Sequence, residues 1–145
     1  MYIEKVLEYA YNYAEYIVSD GKKQLRCVCM SVPLQDGQEP QRNMIISKIY
    51  AFSACDDVIV IKKVTQNLQN CDRIKKRLFD PLGYELRGRV LDANNSIIGV
   101  FGFEIHLTDH YPNGLPVQFA NGDYVEFYAS RLDCEIENNP DIFRC

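Results

Sequence analysis

The hydrophobic period changes near Gln24, and this change constrains the fold more than any other feature of the chain. Residues 2–18 place Ile3, Val6, Leu7, Ala10, Ala14 and Ile17 three or four apart, with Glu4, Lys5, Glu8, Asn12 and Glu15 between them. That spacing puts the apolar side chains on one stripe of a helix and the polar ones opposite. An N-terminal amphipathic helix is therefore expected, stopped at Gly21 by a left-handed cap, with Lys22 and Lys23 at the negative end of its dipole. Tyr2, Tyr9, Tyr11, Tyr13 and Tyr16 flank the apolar stripe, more aromatic surface than one helix face usually buries.

Beyond Gln24 the residues read as strands. The runs 24–33, 44–53 and 58–64 are rich in β-branched and aromatic residues and bounded by turn formers, as are 84–92, 96–107 and 123–136. Between the third and fourth, Thr65, Leu68, Cys71, Ile74 and Leu78 return to helical spacing before Pro81-Leu82-Gly83. A second helix is expected there, with Arg73, Lys75, Lys76 and Arg77 on its outer face. The polar stretch 35–43, the turn at 54–57, the turn at 93–95 and the Pro- and Gly-containing stretch 109–122 read as connections. Gly88, Gly99 and Gly102 fall inside strand runs, where glycine marks a bulge or a sharp bend. The expected fold is α+β: a mainly antiparallel, six-stranded coiled sheet or small OB-like barrel, with an N-terminal helix and a second helix between strands 3 and 4. One domain over 1–136 and a flexible tail over 137–145 complete the expectation.

The 145 residues suit one domain. A net charge of −4 argues against a dedicated duplex-DNA binder, which needs a concentration of Lys and Arg. The opening Met1-Tyr2-Ile3-Glu4-Lys5 lacks the cationic, then apolar, pattern of a secretory signal, and no stretch approaches the roughly 20 apolar residues of a membrane span. A cytoplasmic location without membrane contact is expected, with the six cysteines mostly reduced and buried.

No residues match a nucleophile elbow, a phosphate-binding loop at a helix start, or a zinc-ligand spacing, so neither catalysis nor a cofactor is expected. Binding fits the residues better. The aromatic excess suggests a non-catalytic module that holds a partner protein, or a second copy of itself, through Tyr2, Tyr9, Tyr13 and Tyr16 and a barrel face. The alternative is an OB-like binder of single-stranded nucleic acid or a small, for example cyclic, nucleotide, which would also suit a phage or mobile-element inhibitor. Tyr84, Arg87, Arg89, Tyr124, Tyr128 and Arg131 would then supply the stacking rings and cations. Run 123–136 should show Tyr124, Glu126, Tyr128 and Ser130 on one face and Val125, Phe127 and Ala129 on the other. A third reading, a small metal-dependent hydrolase, would use His106 and His110 with Glu104 and Asp109. Alternation of polar positions on a half-solvated strand produces the same grouping.

Overall fold

In the computed structural model, residues 2–10 and 13–19 are paired β-strands, not a helix, and residues 1–10, 13–29, 42–53, 58–65, 71–77 and 82–137 are described. Strand β1 (Tyr2–Ala10) pairs antiparallel with β2 (Tyr13–Ser19). The register explains why the sequence reads as helical. Relative to β2, β1 carries one extra residue between Ile3 and Lys5 and another between Val6 and Glu8. Ala14, Tyr16 and Val18, two apart on β2, therefore stand opposite Tyr9, Val6 and Ile3, three apart on β1. Each bulge leaves one residue without a cross-strand partner. Two of them stretch a period of two into a period of three, which mimics one side of a helix. The composition always favoured strands, since Tyr2, Ile3, Val6, Tyr9, Tyr13, Tyr16, Ile17 and Val18 are aromatic or β-branched.

The chain divides into two compact units, Met1–Ile49 with Asp133–Cys145, and Tyr50–Leu132. In the first, β2 runs through a turn into β3 (Gln24–Cys29), again antiparallel. The Asp20 carboxylate accepts hydrogen bonds from the backbone N–H groups of Lys22 and Lys23 at 2.8 and 2.7 Å. Gly21 takes a φ of +100° there, so the left-handed residue expected as a helix cap is instead part of a hairpin turn. A late strand, β11 (Arg131–Ile136), joins the free side of β3 in parallel at Asp133↔Val28. Strand β4 (Ile46–Phe52) follows residues that bond to the outer edge of β1, where Ile3 N–H donates to the Met44 carbonyl and Ile46 N–H to that of Met1. Ile3, Ala14, Tyr16, Val18, Leu25, Cys27, Ile46 and Ile49 form this unit's buried core.

In the second unit the strand order is β9-β8-β7-β10-β5. These are β5 (Lys62–Lys63), β7 (Tyr84–Asp92), β8 (Ile97–Val100), β9 (Phe103–His106) and β10 (Tyr124–Ala129). The order runs from end to end without returning, so an open sheet replaces the expected barrel. The pairing is mixed, through the parallel contact of β3 and β11, in a sheet expected to be mainly antiparallel. Run 96–107 is not one strand but the hairpin of β8 and β9 around Phe101 and Gly102. Run 123–136 likewise divides, at Ser130, into β10 and β11.

The second helix is also overturned. Its described residues contain β6 (Arg73–Lys76), antiparallel to the first half of β7. Strand β7 is nine residues long, and β8 pairs only with Arg89, Val90 and Asp92. The backbone groups from Tyr84 to Arg87 on that side need partners, and β6 supplies them. Among the described residues there is no helix, and none is long and apolar enough to cross a membrane. The expected turn at 54–57, most of the tail and much of the 35–43 link lie outside the described residues.

Neither Gly88 nor Gly99 falls at a register shift. A Cβ on Gly88 would sit 2.0 Å from the Gly99 carbonyl oxygen, so the close approach of β7 and β8 requires glycine. The register shift in β7 lies between Val90 and Asp92. Leu86, Val90, Ile98, Val100, Phe103, Ile105, Val125 and Phe127 fill the core of this unit.

Candidate functional site

Alternation on β10 is as the sequence suggests. Val125, Phe127 and Ala129 are buried, and Tyr124, Glu126 and Tyr128 are half-buried on the outward face. Opposite them on β7 stand Arg89, Arg87 and Glu85 respectively. Directly opposed residues share a face, so strand pairing extends this surface on both sides. Strand β6 brings Arg73 opposite Arg87 and Lys75 opposite Glu85, while β5 brings Lys62 opposite Glu126. One row across four strands thus reads Arg73, Arg87, Glu126, Lys62.

Contacts within the surface are specific. Arg87 Nε donates to Glu126 Oε1 at 2.7 Å, and its Nη1 reaches the Cys71 carbonyl at 3.4 Å. The Arg87 side chain is only 8% exposed against 44% for Glu126. Its pKa rises further above the ordinary guanidinium value, chiefly because Glu126 accepts its hydrogen bond. The Arg77 guanidinium lies 4.1 Å from the centre of the Tyr128 ring, and Arg89 lies 5.3 Å from that of Tyr124. Burial raises the pKa of the Tyr124 phenol, with the charge of Asp72 adding to it and that of Arg89 opposing it. Glu85 lies 4.0 Å from Lys75 and 3.9 Å from Arg77, solvated pairs that contribute little.

Beside this row lies a groove of about 520 Å³, lined by Lys62, Arg73, Arg87, Glu126, Tyr128, Ser53 and Ser130 among others. Val58 and Val60 line it too and are 57% and 64% exposed. The surface carries six cations, Lys62, Arg73, Lys75, Arg77, Arg87 and Arg89, against the carboxylates of Asp72, Glu85 and Glu126. It is a positive face on a chain of net charge −4.

Of the residues expected to bind nucleic acid or nucleotide, the structure brings together Arg87, Arg89, Tyr124 and Tyr128. Tyr84 is 6% exposed and belongs to the buried side of β7. Arg131 opens β11 with its guanidinium 4.1 Å over the Phe52 ring. Of the four tyrosines expected on a helical contact face, Tyr16 is fully buried in the core and Tyr2 is half-buried on β1. Tyr9 and Tyr13 pair with Ala14 and Ala10 respectively, and their side chains lie outside the described residues. Lys62 was not expected in the site, and Arg73, Lys75 and Arg77 were expected on the outer face of a helix. Their signal was the two-residue step Arg73, Lys75, Arg77, which the helical assignment of 65–78 hid.

His106 lies on β9 with its ring 5.7 Å from that of Tyr50. His110 follows in the loop, its backbone N–H donating to the Leu107 carbonyl. Among the described residues no three His, Cys, Asp or Glu side chains gather as a metal site. Comparison with protein-family models, curated proteins and solved structures gives no match.

Proposed function

We propose that the outward face of β6, β7, β10 and β5 is a non-catalytic binding surface for single-stranded nucleic acid. The observation that carries the reading is the cross-strand array, in which cations from three strands, β5, β6 and β7, surround the half-buried rings of Tyr124 and Tyr128 on β10. Single strands are held by basic surfaces that follow the phosphates and by aromatic side chains that stack with bases. An open sheet face suits them because it presents both at the spacing of neighbouring strands, about 4.8 Å. The apolar wall of Val58 and Val60 adds a surface for the flat face of a base. A cytoplasmic setting is part of the proposal, supported by Cys27 and Cys71, which form no disulfide.

Titrating a fluorescent oligothymidylate at two salt concentrations tests the reading. Binding should weaken with salt, and the slope of log K against log salt should fall by about 0.7 for each phosphate contact removed in Arg73→Glu and Lys75→Glu. Absence of saturable binding at low salt, or a slope indifferent to both variants, refutes it.

A further inference from the structure

Glu126 is out of place on a surface that only holds phosphates. A half-exposed carboxylate in the middle of the cationic row repels the ligand that its neighbours attract, unless it accepts hydrogen bonds from that ligand. Its setting is that of a positioned acceptor. Arg87 is nearly buried, and its guanidinium is engaged by Glu126 Oε1 at 2.7 Å and the Cys71 carbonyl at 3.4 Å, so it serves to orient the carboxylate. Lys62, opposite Glu126 on β5, and Arg73, opposite Arg87 on β6, flank it with solvated cations. Exposed Val58 and Val60 and the Tyr128 ring line the same groove and offer flat or apolar contact to a planar base.

Base chemistry then selects the ligand. Single-stranded bases are read on their Watson–Crick edges. Guanine presents two adjacent donors there, N1–H and the 2-amino group, which match the two oxygens of a carboxylate. Adenine and cytosine present one amino group beside an unprotonated ring nitrogen, whose lone pair the carboxylate repels. Thymine and uracil present one N–H between two carbonyls, which it also repels. From this geometry we infer that the groove reads guanine, with Glu126 as the specificity-determining acceptor and Lys62 and Arg73 taking the adjacent phosphates. The inference rests on the nucleic-acid reading and adds the base to it.

The test uses the full chain and an oligothymidylate with one central substitution: guanosine, inosine, adenosine or cytidine. A single guanosine should tighten binding roughly tenfold, as one bidentate base contact does, and inosine, lacking the 2-amino donor, should lose most of that gain. Free guanosine monophosphate should compete better than the other three nucleotides. Glu126→Gln should abolish the guanosine preference and tighten the all-thymidine strand, since a negative charge leaves the face. If that variant does not fold, because Arg87 is left without its partner, the substitution series on the unaltered protein decides alone. Equal affinity for all four substituted strands overturns the guanine assignment while leaving strand binding intact. Failure of every strand to bind overturns both.

Discussion

Replacing Gly88 by alanine perturbs the sheet that carries the proposed face at the place where it is least able to yield. The new Cβ would lie 2.0 Å from the Gly99 carbonyl oxygen, 2.9 Å from the Gly99 carbonyl carbon and 2.8 Å from Val100 Cγ2. Two of these three atoms are backbone, so no rotamer change relieves the contact and β7 and β8 must part. Overpacking usually costs about 1–3 kcal/mol, and a clash with backbone puts it at the top of that range or beyond, roughly 3–4 kcal/mol, of which the gain of about 0.5–1 kcal/mol from removing a strand glycine offsets only part. A net loss of about 2–3 kcal/mol lowers the melting temperature of a chain this size by roughly 4–12 °C. Two controls fix the cause. A Cβ on Gly99 meets only the Leu91 side chain, which can rotate, at 2.8 Å, and one on Gly21 meets nothing within 4 Å but inherits a φ of +100°. Gly99→Ala should therefore cost less than Gly88→Ala, and Gly21→Ala about 1–2 kcal/mol from backbone strain alone. Calorimetry or urea titration of the three variants reads the order. A Gly88→Ala protein as stable as the parent, or more stable than Gly21→Ala, refutes the close approach of β7 and β8.

Thiol labelling should separate the described cysteines. Cys71 is exposed, whereas burial, aided by the charge of Asp133, pushes the Cys27 thiol far up, so peptide mapping should find Cys71 modified first and Cys27 and Cys134 only on unfolding. The phenols of Tyr111 and Tyr124 ionise above the ordinary value, each chiefly because burial disfavours the phenolate. A folded pKa raised above the unfolded one stabilises the fold below about pH 10 and loses that contribution as pH rises through the folded value. Denaturation midpoints should thus hold to about pH 10 and decline above it, with part of the phenolate absorbance appearing late; simultaneous ionisation at the ordinary value with unchanged midpoints contradicts this. In the first unit, Glu15 is 7% exposed and accepts a hydrogen bond from Arg26 Nε at 3.0 Å. Arg26→Leu removes the cation from that carboxylate and should cost about 2 kcal/mol in urea titration, below the value for a fully buried pair because Arg26 is 30% exposed; a change under about 0.5 kcal/mol excludes the pair as a stabilising contact.

The strands with regular alternation were legible in the sequence. Run 84–92 is β7 end to end, and the two faces of 124–129 are those expected. That Arg87 and Arg89 share a face, and Tyr124 and Tyr128 another row of it, was legible for the same reason, since each pair is spaced by a multiple of the strand period. Residues 2–18 were misread because two bulges in β1 replace the two-residue period by a three-residue one, and a bulge shows only against the partner strand. Residues 71–77 were misread because Ile74 alone gives β6 an apolar anchor. What makes it a strand is the unpaired edge of β7.

By itself the sequence determined which residues favour extended backbone and, where alternation is unbroken, which share a face, because both follow from side-chain shape and a period of two. Tertiary structure alone decided the bulged register of β1 against β2, the docking of β6 on β7, and the row in which Arg73, Arg87, Glu126 and Lys62 meet. Register couples residues far apart in the chain through backbone hydrogen bonds, and these are chemically alike at every position.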